Sequence, residues 1–186
     1  MLPDAPGLIA FAVMVASAGQ SAEPPALAAA RKFIGEHEAG IRPLEKEVSL
    51  AWWRANVSGS DEEFKAKEEA QNRLDAALAD RARFAELKKI KAELAPSRQS
   101  DETVAREIDV LYLQYLEKQV DPELLKKMTA RANAVEKAFN VYRARVDGQE
   151  LTDSEVRKVL KESKDSGRRK SVWEASKGVG LRWRPT

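Results

Sequence analysis

The sequence predicts an all-α protein: an elongated bundle of about four long and two short helices. Apolar residues recur at three-, four- and seven-residue intervals from about Ala26 onward, the spacing of a helix face. Ser, Thr and Asp stand where helices start. Only 9 Gly, 8 Pro and a 6% aromatic share interrupt the pattern, a composition that suits helices better than sheet. At 186 residues, 43% hydrophobic and 33% charged, the chain suffices for one domain with a sizeable core.

The charges nearly cancel. Lys and Arg number 32 against 30 Asp and Glu, a formal +2, so there is no general electrostatic reason to bind nucleic acid or anionic lipid. With no Cys, disulfides and thiolate metal sites are excluded. Near the start, the apolar run from Leu8 to Ala16 followed by Ala16-Ser17-Ala18 has the form of a signal peptide and its small-residue cleavage site. Residues 1–22 are therefore expected to direct export, giving a periplasmic or secreted protein, although Asp4 stands where a Lys or Arg is usual. The run is too short for a membrane span, which needs about 20 residues.

In the first helix Ile34, Ile41, Leu44, Val48, Ala51 and Ala55 share one face, and Pro43 is placed to kink or break it. Asn56 to Asp61 collects turn formers; Asn56-Val57-Ser58, formally a glycosylation sequon, reads as part of that turn. Ser60, with Glu63 three residues on, opens a second helix from Asp61 to Leu94. Its stripe of Phe64, Leu74, Leu78, Leu87, Ile90 and Leu94 is thin and its remaining surface charged, which predicts a peripheral, solvated helix ending before Pro96. Pro96 to Ser100 is a polar linker.

Asp101-Glu102 place negative charge at the start of a third helix, whose buried face is Ile108, Leu111, Tyr112, Tyr115 and Leu116. Asp121-Pro122 starts a fourth in the favoured way, with Asp as cap and Pro in the first turn. Along it Leu125, Met128, Ala132, Val135, Phe139, Tyr142 and Val146 form a seam of alternating three- and four-residue steps, expected to be bundle core rather than a coiled-coil dimer contact. Asp147-Gly148 is a turn. Thr152 and Glu155 form a capping box, and short helices follow over about Asp153 to Glu162 and Gly167 to Lys177.

Catalytic apparatus is missing. A helical zinc peptidase needs two imidazoles one turn apart, but this chain has one histidine. His37 is followed by Glu38, yet Ile41 occupies the second-ligand position, so His37 is expected to be a packed side chain on the stripe between Ile34 and Ile41. No Gly-x-Ser-x-Gly, cysteine nucleophile or Gly-rich phosphate loop is present. No catalytic residue and no metal ligand is assigned.

Phe33 through Ser58, with Ala51-Trp52-Trp53 leading into Asn56-Val57-Ser58, resembles the first helix and turn of the angiotensin-converting-enzyme-like (peptidyl-dipeptidase A) zinc metallopeptidases. Arg106 to Tyr112 and Ala138 to Ala144 look like the bacterial members, in the same order. Arg168 to Lys177, containing Val172-Trp173-Glu174-Ala175-Ser176-Lys177, resembles the family's Trp-Glu-x-x-Arg region. The Arg of that region helps hold chloride; Lys177 takes its place here, keeping the charge without the planar fork, as a remnant of the anion site.

The resemblance implies that residues 23–180 are the helical lid region of a larger peptidase domain, with 181–186 a divergent tail. It also implies that zinc and chloride belong to full-length members and to no residue set of this chain. The implied partners are the C-terminal catalytic region of the same enzyme and, in full-length members, a peptide substrate. No nucleic acid and no stable membrane span are expected. The alternative expectation is a free-standing helical binding or adaptor protein built on that scaffold.

Overall fold

The computed structural model describes residues 23–96 and 101–183, without the side chains of 181–183. The expected signal peptide, most of the polar linker and the last three tail residues lie outside that range. The described chain is all-α apart from one two-stranded hairpin. Among the described residues no helix is long and apolar enough to cross a membrane.

Helix α1 covers Pro25–Ser58, with Pro in its first turn, where the missing N–H costs nothing. It runs on through Pro43 rather than breaking there. Gly59 ends it at φ 69°, a left-handed conformation favouring glycine, and its N–H donates to Ala55 O at 2.8 Å. The turn therefore begins later than expected. Asn56 to Ser58 form the last helical turn, and the Asn56 amide donates to Trp52 O at 2.9 Å.

Helix α2 covers Asp61–Leu78, capped by the Ser60 hydroxyl, which accepts from Glu63 N at 3.2 Å. The single helix expected over 61–94 is in fact two. Asp80 Oδ1 accepts from Ala82 N at 2.8 Å and Arg83 N at 2.9 Å, satisfying the first free donors of α3, Arg81–Leu94. The break has a packing reason: it frees Phe84, Leu87, Ile90 and Leu94 to pack with the next helix. That helix, α4 (Glu102–Leu116), is capped by Asp101 through Val104 N at 3.0 Å. Its face buries Ile108, Leu111 and Tyr115 as expected, whereas Leu116 is exposed.

The main apolar cluster joins the first half of α1, the end of α2, α3 and α4. Phe33, Leu87, Leu94, Ile108 and Tyr115 are its fully buried large side chains. Phe33 and Tyr115 meet with ring centroids 6.1 Å apart, and the Arg83 guanidinium lies 4.2 Å from the Phe33 ring centre. Far from peripheral, α2 lies between α1 on one side and helix α5, Pro122–Val141, on the other. The thin stripe misled because α5 meets α2 through polar side chains. Arg73 pairs with Glu47, Lys137 with Asp61, and Thr129 with Asp75, so α2 runs antiparallel to both neighbours.

Asp121 caps α5 through Leu124 N at 2.9 Å. The seam expected to form bundle core is mostly open: Leu125 is buried, but Met128 is 54% and Phe139 58% exposed, with Ala132 and Val135 also exposed. Tyr142 and Val146 leave the helix altogether. Strands β1 (Ala144–Val146) and β2 (Gln149–Leu151) pair antiparallel, Val146 opposite Gln149, around Asp147 at φ 51° and Gly148 at φ 79°. Two positive φ values are what a tight primed hairpin turn demands, so Asp-Gly closes a hairpin rather than merely ending a helix.

Helices α6 (Asp153–Glu162) and α7 (Ser166–Lys177) follow, and a 3₁₀ segment covers Gly178–Trp183. The Thr152 capping box is complete: Glu155 N donates to Thr152 Oγ1 at 3.3 Å, and Thr152 N to Glu155 Oε2 at 2.7 Å. Ala144, Val156 and Val172 make a second, small core here, with Tyr142 donating to Ala175 O at 2.7 Å.

Replacing Asp80 by Ala should lower stability by about 1 kcal/mol, the usual cost of a lost N-cap. Urea denaturation reads it, and an unchanged midpoint would show that packing alone sets the break between α2 and α3.

Candidate functional site

His37 lies in the main core rather than at a reactive surface. It is buried, with Nδ1 3.2 Å from the Tyr115 hydroxyl and ring centroids 5.7 Å apart. Burial lowers its pKa below the ordinary value, and the positive charge of Arg83 adds to the effect, while Glu45 and Glu38 oppose it. Among the described residues no three His, Asp or Glu side chains converge in a way that could hold a metal. Lys177 ends α7 exposed to solvent, its ammonium 5.6 Å from the Trp173 ring centre. Trp52, Trp53 and Trp173 are exposed, whereas a tryptophan on a helix is ordinarily core.

Polar and apolar side chains converge in a groove of about 540 Å³ over α2, walled by α1 and α5. Val48, Ser49 and Trp52 come from α1; Leu125, Met128, Thr129, Ala132, Asn133 and Glu136 come from α5. Lys67, Gln71 and Asp75, at four-residue spacing along one side of α2, form the floor with Glu68, and Lys118 closes one end.

Two charge networks hold that floor. The buried Lys67 ammonium donates to Asn133 Oδ1 at 3.2 Å and pairs with Glu136. Asn133 in turn donates to the Phe64 carbonyl at 2.9 Å and to Glu68 at 3.2 Å, and Asn56 donates to Glu136 at 3.0 Å. In the second, the buried Asp75 accepts from Lys118 at 3.1 Å, Gln71 at 3.0 Å and Thr129 at 2.9 Å. Burial alone would raise the Glu136 pKa, but hydrogen bonds from Lys67, Asn56 and Trp52 outweigh it and hold the carboxyl below its usual range. Burial likewise opposes the charge on Lys118, yet its bonds to Glu117 and Asp75 raise the pKa.

The acids and bases of the groove are tied to one another, and the Thr129 hydroxyl donates to Asp75, a carboxylate already paired with Lys118. Sequence reasoning placed Leu125, Met128 and Ala132 on one face but did not find the groove, whose residues come from three separate helices. No protein-family model matches this chain, and no match appears among curated proteins or solved structures.

Two expectations follow. The folded state resists protonating His37, whereas the unfolded chain takes up the proton near pH 6.5. Its contribution to stability is thus complete above that pH and declines as the solution is acidified toward the lower folded value. His37→Gln should flatten the fall in melting temperature between about pH 7 and about pH 5; an identical profile would remove His37 from the account. Separately, Lys67→Met strands Glu136 and Asn133 and should cost about 2 kcal/mol. The double variant Lys67→Met with Glu136→Leu should recover most of that in urea denaturation.

Proposed function

We propose that residues 23–180 are the lid-type, non-catalytic helical region of an exported zinc peptidyl-dipeptidase-like protein, complemented by a separate catalytic region. The observation that carries this reading is the row of exposed apolar side chains on α5, Met128, Val135 and Phe139, with Trp52 of α1 lining the same groove as Met128 and Trp53 also exposed. A chain with a well-packed core elsewhere has no internal use for such a face, and a face of this kind suits another surface. In the proposed role, charged helices flank a cleft, keep water from it and restrict substrates by size. Zinc, held by the complementing region, would polarise the peptide carbonyl and activate water.

A second reading, a free-standing helical binding or adaptor protein, draws support from a different observation. The floor of the groove is internally paired, and α2 to α7 are all capped by side chains of this chain. An independent module should be monodisperse and unfold in one cooperative transition. A dependent part should self-associate or bind hydrophobic dyes.

The purified chain is expected to retain no stoichiometric zinc by elemental analysis and to release no dipeptide from a blocked peptide. Zinc-dependent turnover by the chain alone would overturn the lid assignment.

A further inference from the structure

We infer that the groove between α1 and α5 is a docking site for one amphipathic α-helix, apolar along one face and carrying a Lys or Arg beside the centre of that face. The inference deepens the proposed function by specifying the helix that the complementing region would present.

Four observations converge on this occupant. First, α1 and α5 run in the same direction, both antiparallel to α2, and stand as two walls over one floor. From Leu125 to Glu136 the groove follows α5 for three turns, about 17 Å at the helical rise of about 1.5 Å per residue. Second, the α5 wall presents Leu125, Met128 and Ala132, and the row continues with Val135 and Phe139. Steps of three and four residues make the seam into which a neighbouring helix sets its own side chains, and Val48 and Trp52 offer the same spacing from α1.

Third, the groove has no backbone hydrogen-bonding capacity to offer. Its walls and floor are helices whose N–H and C=O groups bond internally, and its polar side chains bond one another. An extended peptide buried there would leave its own backbone groups unpaired, whereas a helix arrives with them satisfied. Fourth, the charges do not balance. Lys67 and Lys118 face three carboxylates, Glu68, Asp75 and Glu136. Lys67 pairs with Glu136 and Lys118 with Asp75, while Glu68 accepts the Asn133 amide. A cation on the incoming helix complements Glu68 and fixes which way round the helix lies.

The test uses a synthetic stapled helix of about four turns, with Leu at three- and four-residue spacing along one face and one Arg beside the central Leu. A twin carries Glu in place of the Arg. The Arg helix should bind the full chain at one-to-one stoichiometry by fluorescence anisotropy. Met128→Glu should weaken it about tenfold. Glu68→Lys should weaken it about threefold and reverse the preference in favour of the Glu helix. Both substituted positions are partly exposed, and circular dichroism checks that both variants fold. Failure to bind, binding that ignores both substitutions, or a concentration-dependent dimer abolished by Met128→Glu would each overturn the inference, the last by assigning the groove to a second copy. The zinc and peptidase measurements stand apart from every one of these outcomes.

Discussion

The Lys67 ammonium, buried between Asn133 and Glu136, is the contact on which the arrangement of this protein turns. An ammonium taken out of water is costly unless it is paired and hydrogen-bonded, so α5 has essentially one rotation about its axis that satisfies Lys67. That rotation brings Asn133 onto the Phe64 carbonyl, Thr129 onto Asp75 and Asn140 onto the Asn56 carbonyl. It also turns the apolar row of the same helix away from α2. An apolar helix interface tolerates a slide of one turn with modest loss, but a chain of matched donors and acceptors does not.

The molecule thus uses two different adhesives. Around Phe33, Leu87 and Tyr115 helices are held by apolar burial, which is strong and indifferent to exact angle. Between α2 and α5 they are held by polar bonds, individually modest but directional. The hairpin and the last two helices repeat the apolar mode on a small scale around Val172. Strength resides in one region and orientation in another.

Local signals were legible in the sequence and relational ones were not. Ser60, Asp101, Asp121 and Thr152 act over three residues and could be read directly as helix starts. Asp80 could not, because residue 83 is Arg rather than an acid and the apolar spacing continues across it. His37 was readable as packed because Ile34 and Ile41 bracket it on the same face. The α5 seam shows the limit of periodicity: spacing says which residues share a face, never what stands opposite. Nothing near Lys67 or Asn133 in the sequence marks them as buried, since their partners lie some seventy positions away in sequence. The three-residue strands are too short to display alternation, leaving Asp-Gly as their sole trace.

Pro43 gains meaning from where the two adhesives meet along α1. Residues before it and Leu44 just after it pack into the apolar cluster, and the later residues lie against α2 and form the Trp52 wall. Proline cannot donate to the carbonyl one turn earlier, so the helix has its weakest rung there. A long helix that must flex does so where a bond is already absent. The outer half of α1 is therefore held in place less by a continuous backbone ladder than by its side chains, with Ala51 and Ala55 buried and Asn56 bonded to Glu136 and Asn140 of α5.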